Sequence, residues 1–279
     1  MEQILLDIHP RLQPHIIKAL MFEQDKGLES MFRYVPRIFP AFLFILKDTH
    51  QIDSFHGWEM LPLKPASIYY MGVSCKPASI TCSSNIQVIV VLLHPYSASF
   101  FFGDDAHYYS DIRFEISDTT PDWRQLNEQI NNRNSLQKKW QLIQDFFTKR
   151  FTHDFGYTFN YVSHAIQYMH YQKGIVGIDE VAKQVCTSPR NLLDIFKHYI
   201  GMSPKKIADA MRFNTFVNSF QQESRSLLEA ASAHGYYDLS HLHKDFLRYM
   251  AVSPADFFTM AKVPKSNLHG NWEEADYLS

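Results

Sequence analysis

The sequence is short of cysteine, contains no long apolar run, and has no excess of charge of either sign. Its three cysteines, Cys75, Cys82 and Cys186, form neither a CxxC pair nor an even set. That excludes a disulfide scaffold and makes a reduced, cytoplasmic protein the expectation. The longest apolar stretches are residues 38–46, interrupted by Pro40, and 86–93. Both fall short of the ~18–20 residues that a membrane-spanning helix needs. The opening MEQILLDIHPRL carries acids where a secretory signal has a basic segment, so no membrane partner is expected. With 27 Lys and Arg against 29 Asp and Glu, the net charge is −2. Binding DNA requires Lys and Arg to neutralise phosphates, so composition alone argues against it. A Gly-rich phosphate loop and a G-x-S-x-G elbow are both missing.

Histidine is plentiful, with 14 copies, but poorly arranged for a metal. His50 and His56 lie six apart with no H-x-H pair, His94 precedes Pro95 at a strand end, and His241 and His243 fall on different faces of a helix. No metal and no other cofactor is expected, and no catalytic residue is assigned. What the chain does have is a globular apolar fraction of 46% and aromatics at 15%, enough for a dense β core or a stacking surface. Its 279 residues suggest two domains.

Up to about residue 115 the pattern is of short β-branched or aromatic runs separated by Pro, Gly, Ser and Asp: 38–46, 67–74, 79–82, 86–93, 99–102 and 112–116. This spacing predicts an all-β barrel or sandwich, with a helix over 12–22 in front of it. From about 120 the period changes from two to 3.6. Thr120 and Pro121 open a helix with Trp123, Leu126 and Ile130 on one face, and Leu136, Trp140, Ile143 and Phe147 mark a second. Tyr161, Ala165, Tyr168 and Met169 mark a third, ending near Gly174. The expected division is 1–120 β-rich, 121–154 a helical linker able to dimerise, 155–262 all-α, and 263–279 a polar tail.

The most informative feature is an internal repeat. SPRNLLDIFKHYIGMSPKKI (188–207) aligns with DLSHLHKDFLRYMAVSPADF (238–257), matching Leu192, Phe196, Tyr199, Ser203, Pro204 and Ile207 to Leu242, Phe246, Tyr249, Ser253, Pro254 and Phe257. A short Ala-containing helix precedes each copy. Ser188, Ser203 and Ser253 each cap a helix with Pro at its first position. Ser226 and Glu229 have capping-box spacing, and Gly235 suits the left-handed residue of a helix-turn-helix bend. Gly201 can end the first copy's long helix; Ala251 stands in that place in the second.

Two helix-turn-helix units joined by a helix over 204–220 resemble the DNA-binding domain of AraC/XylS-family transcription regulators. The stretch HGYYDLSHLHKDFLRYMAVSP is similar to the family signature at Gly235, Ser240, His241, Phe246, Ser253 and Pro254, and departs from it at Leu247 and Ala251. In the first unit Asp194 stands where the family often has an arginine. The β-rich part is similar to the cupin-like sensor domain of one branch of the family. The resemblance implies an α+β chain: a β-rich barrel or sandwich with flanking helices, then an all-α domain with two helix-turn-helix units. It implies a promoter-binding regulator, an activator more than a repressor, with double-stranded DNA and RNA polymerase as partners. A small-molecule effector and a homodimer are part of the same expectation.

The helices over 189–200 and 239–250 are the ones that would enter the major groove. Their core-facing residues are set by spacing, which leaves Arg190, Asn191, Leu193, Asp194 and Lys197 on the first. On the second they leave Leu239, Ser240, His243, Lys244 and Arg248. Asn suits adenine, Arg guanine, Asp the cytosine amino group and Leu a thymine methyl. Lys197, Arg248, Lys205 and Lys206 suit phosphates, and the resemblance gives His241 a structural role. The rival reading is a small-molecule-binding or enzymatic β-barrel whose helical part does not read DNA.

Overall fold

A computed structural model of the chain describes residues 2–24, 30–34, 36, 38–47, 50–54, 61–82, 86–151, 157–220 and 226–260. The expected polar tail and His56 lie outside these residues, and so does the side chain of His50.

The N-terminal half is built on two antiparallel sheets. One has the order β1 (Glu2–Leu5), β2 (Ile16–Gln24), β9 (Ile86–Leu93), β4 (Ala41–Lys47), β7 (Ser67–Met71), β10 (Arg113–Glu115). The other has the order β3 (Ser30–Tyr34), β8 (Ala78–Cys82), β5 (His50–Ser54), β6 (Leu61–Leu63). In the larger sheet, β9 sits between β2 and β4, with Val90 opposite Leu20 and Val91 opposite Phe42. Alternate residues therefore go to opposite faces. Ala19, Met21, Phe42, Phe44, Tyr70, Ile89 and Val91 form one face; Leu20, Phe22, Leu43, Ile45, Tyr69, Val88 and Val90 form the other, where Leu63 of the smaller sheet joins them.

The first face is covered by α2 (Pro121–Asn131) and α3 (Leu136–Arg150). Trp123, Leu126 and Ile130 from α2 and Trp140, Ile143 and Phe147 from α3 are buried on it, with Phe42 and Trp123 ring centroids 5.4 Å apart. The apolar stripes of both helices are thus covered by the chain's own sheet.

Two expected elements are different. Residues 12–22 hold no helix: a 3-10 turn occupies Pro10–Leu12 and the strand β2 follows. Because β2 is an inner strand buried on both faces, its near-continuous apolar run has no period to distinguish it from a helix. Residues 99–102, expected as a strand, belong to α1 (Ser97–Phe102), which Gly103 ends at φ 70°. Phe101 of α1 enters the sheet core while Phe100 packs toward the C-terminal helices. An aromatic run that serves two cores has lost both periods.

The C-terminal half holds α4 (Tyr157–Tyr171), α5 (Ile178–Gln184), α6 (Pro189–Tyr199), α7 (Pro204–Phe220), α8 (Leu227–Ala233), α9 (Leu239–Met250) and α10 (Pro254–Met260). They make two cores that share α7. Ile207, Ala208, Ala210 and Met211 of α7 pack with α4, α5 and α6; Phe213, Phe216 and Val217 pack with α8, α9 and α10. One helix of 17 residues, about 25 Å long, therefore fixes one unit relative to the other.

Candidate nucleic-acid interface

Each unit is a short helix, a turn, a longer helix, and the start of the next. In the first unit Cys186 takes the left-handed turn conformation at φ 54°; in the second Gly235 takes it at φ 72°. The two turns differ by one residue. Cys186 and Gly235 are 49 apart, whereas the helix caps Ser188 and Asp238 are 50 apart. The extra residue, Tyr237, stands 94% exposed just before the cap of α9.

The caps work as their residue types require. Ser188 Oγ accepts from the Asn191 N–H at 3.1 Å, and Asp238 Oδ1 accepts from the His241 N–H at 2.7 Å. The capping box of Ser226 and Glu229 is fully formed at α8. Beyond α6 and α9, Gly201 and Ala251 both take left-handed backbone, at φ 83° and 55°.

On α6, Leu192, Ile195 and Phe196 are buried, and Arg190, Asn191, Leu193, Asp194 and Lys197 are exposed. On α9, Leu242, Asp245, Phe246, Tyr249 and Met250 are buried, and Leu239, Ser240, His243, Lys244, Leu247 and Arg248 are exposed. Every residue expected on the two outer faces is therefore placed there, on helices held by one connector. Some are already engaged. The Asn191 amide donates to Thr187 Oγ1 at 2.7 Å, Lys205 Nζ to Asp209 Oδ1 at 2.7 Å, and Arg248 lies 5.0 Å from the Tyr249 ring. His241 is set back: its Nε2 is 3.4 Å from Arg212 Nη2 and its ring meets Tyr236 edge-on.

The two units are held to α7 by different chemistry. Where α6 has Ile195, α9 has Asp245, 6% exposed and receiving Arg212 Nη2 at 3.2 Å. The Arg212 guanidinium also lies 4.7 Å from the Tyr236 ring and 3.5 Å from Asp209. Burial pulls the Arg212 pKa down, but Tyr236, Asp209 and Asp245 outweigh it and the net shift is upward. Burial pushes the Tyr236 hydroxyl up, and Asp245 adds to that. Residue-by-residue reading of the sequence missed this lock. An Asp three residues after the core Leu242, on the inward face of α9, was the available sign. Tyr237, just before the cap of α9, and Leu247 on α9 were missed as exposed apolar groups.

The C-terminal end of α6 is docked on the β-rich half. Tyr199 stacks on Phe100 at 5.5 Å, Ser110 Oγ donates to the Ile200 carbonyl at 3.1 Å, and His198 Nδ1 meets Asp105 Oδ1. Ile38, Val73 and Tyr96 complete the first unit's core. The buried Asn214 of α7 donates to the Pro36 carbonyl at 2.9 Å. Cys75 reaches Met202 at 3.7 Å between sulfurs, and burial pushes its thiol up to about 12. Among the described residues no three His, Cys, Asp or Glu side chains gather as a metal site, and no helix is long and apolar enough to cross a membrane.

Residues 181–260 match a family described as a helix-turn-helix domain. An uncharacterised HTH-type transcriptional regulator of Haemophilus influenzae is 30% identical over 80 residues, covering 29% of this chain and 27% of that protein. The HTH-type transcriptional regulator ArgR of Pseudomonas aeruginosa is 28% identical over 78 residues, covering 28% and 24%. The matched segment thus spans about a quarter of the length of these curated relatives. A solved structure of ToxT from Vibrio cholerae overlays 87% of this chain and 97% of that one, with 13% identity and a TM-score of 0.46. The repeated unit, the caps, the shared connector helix and the family match agree: residues 181–260 are a helix-turn-helix domain of the AraC type.

Proposed function

We propose that the protein is a sequence-specific DNA-binding transcription regulator, acting chiefly as an activator, whose α6 and α9 read adjacent major-groove segments of one site. The observation that carries this reading is the pair of recognition-type helices fixed by α7, each with its polar outer face exposed. Arg190, Asn191, Leu193 and Asp194 on α6, and Leu239, Ser240, His243 and Lys244 on α9, are the base-reading candidates. Lys197, Lys205 and Arg248 serve phosphates in this reading. The β-rich half receives a small-molecule signal or a partner copy and passes it on through the joint with α6. RNA polymerase and a second copy of the chain are the protein partners. Since α2 and α3 direct their apolar stripes inward, a second copy would meet the chain through another surface.

The formal charge fits weak, selective binding. Residues 151–262 hold 11 Lys and Arg against 10 Asp and Glu, so phosphate contacts are few. The test is binding of the purified protein to its own upstream DNA and to unrelated DNA across a salt series. The account expects preference for the upstream DNA, a shallow salt slope, and a loss of about tenfold or more in the Lys244→Ala/Arg248→Ala variant. Equal binding to unrelated DNA, or no effect of the double change, contradicts it.

A further inference from the structure

The two recognition helices are alike in fold but not in what lies against their last turns. At the 50-residue offset, His198 of α6 corresponds to Arg248 of α9. Arg248 is exposed, and its guanidinium lies 5.0 Å from the ring of its neighbour Tyr249. His198, one helical turn beyond Asp194 on the exposed side of α6, is met by a carboxylate from the other half of the chain. Asp105 Oδ1 pairs with His198 Nδ1, while Asp105 Oδ2 lies 3.6 Å from His107 Nδ1. Asp104 stands exposed beside it, its Oδ1 accepting from the Asp105 N–H at 2.7 Å.

A helix seated in the major groove has a sugar–phosphate wall along each flank, and a cation or donor in its last turn is a natural phosphate contact. We infer that the acidic loop after α1 is an autoinhibitory contact: Asp105 takes the phosphate's place on the last turn of α6, and Asp104 repels the strand that would displace it. The inference rests on the reading of α6 as a groove helix and adds how that helix is held back. It applies to one unit only, so α9 is open to DNA while α6 must first lose its carboxylate partner.

The loop cannot drift from this position. A side chain at Gly201 would collide with Ser110 Oγ and the Ala106 carbonyl, so the chain segments touch backbone to backbone there. Ser110 Oγ bridges them, its single proton lying between the carbonyls of Ala106 at 3.0 Å and Ile200 at 3.1 Å. The Phe100–Tyr199 stack closes the far side. The carboxylate is thus held at α6 by packing and not by its charge alone. A signal that shifts this joint changes the DNA affinity of α6 without touching α9.

The test is fluorescence anisotropy of the full-length protein on its own upstream DNA at several salt concentrations. Asp104→Asn/Asp105→Asn should bind about 5- to 20-fold tighter than wild type, with a salt slope steeper by about one counterion. Asp118→Asn/Glu128→Gln, with the same change in net charge on the exposed end and face of α2, should stay within about twofold of wild type. Ser110→Ala loosens the same joint but keeps both carboxylates, so it should tighten binding less than the loop variant does. If the loop variant binds no tighter than the α2 variant, or if its salt slope equals that of wild type, the inference is overturned and the regulator reading stands. If wild type and all variants fail to distinguish upstream from unrelated DNA, both are overturned.

Discussion

His94 shows how a single buried residue ties stability to pH. It is 5% exposed, its ring lies parallel to Tyr96 at 5.2 Å, and burial lowers its pKa from 6.5 to about 4, with a small opposing effect from the Gln13 backbone. Between those two values the unfolded chain binds more protons than the folded one, so acid favours unfolding. The stability linked to His94 is complete above about pH 6.5 and is lost as the pH falls toward 4. It amounts to on the order of 3 kcal/mol. Urea denaturation at pH 7 and pH 4.5 should show this loss, and His94→Gln should shrink the difference; an unchanged difference contradicts the assignment. Backbone conformation gives a second prediction at this scale. Ala251 and Cys186 occupy left-handed positions that L side chains adopt at a cost, so Ala251→Gly or Cys186→Gly should stabilise by about 1 kcal/mol. Gly201→Ala should destabilise by about 2 kcal/mol or more, since strain and collision combine there. Chemical denaturation of the three variants checks the signs.

The element scale separates what the sequence made legible from what it did not. Helices α5 to α10 were readable because caps, period and repeat agree: Ser188, Ser226 with Glu229, and Gly235 each do what their residue types predict. Strand β2 and helix α1 were misread because each serves packing on two sides, and a residue run buried on both sides keeps no period. The outer faces of α6 and α9 were legible by elimination, since core spacing leaves few alternatives. The Arg212–Asp245 lock was not, because Arg212 and Asp245 are 33 residues apart and only the fold brings them together. Its weight can be measured. Arg212→Ala strands a buried carboxylate and should cost about 2–4 kcal/mol, with the loss concentrated in α8 to α10. Hydrogen exchange that weakens the two units equally contradicts that placement.

At the scale of the whole molecule, the two halves of the chain meet at α6 and α7. The Phe100–Tyr199 stack and the Ser110 bridge bind the β-rich half to α6, and Asn214 ties α7 to the strand-connecting segment at Pro36. In the proposed reading, joint geometry and DNA binding are linked, because α6 takes part in both. Under the proposed function, the near-neutral charge that argued against nucleic acid implies binding through few phosphates and selective groove contacts, with an acidic loop set against one of two helices. The central claim is that α6 and α9 read two neighbouring groove segments of one asymmetric site. Methylation interference on the upstream DNA, with one chain bound, tests it most directly. The account predicts two major-groove segments about 10 base pairs apart, one lost in Arg190→Ala/Lys197→Ala and the other in Lys244→Ala/Arg248→Ala. A single segment, or two that respond to neither double change, would contradict it.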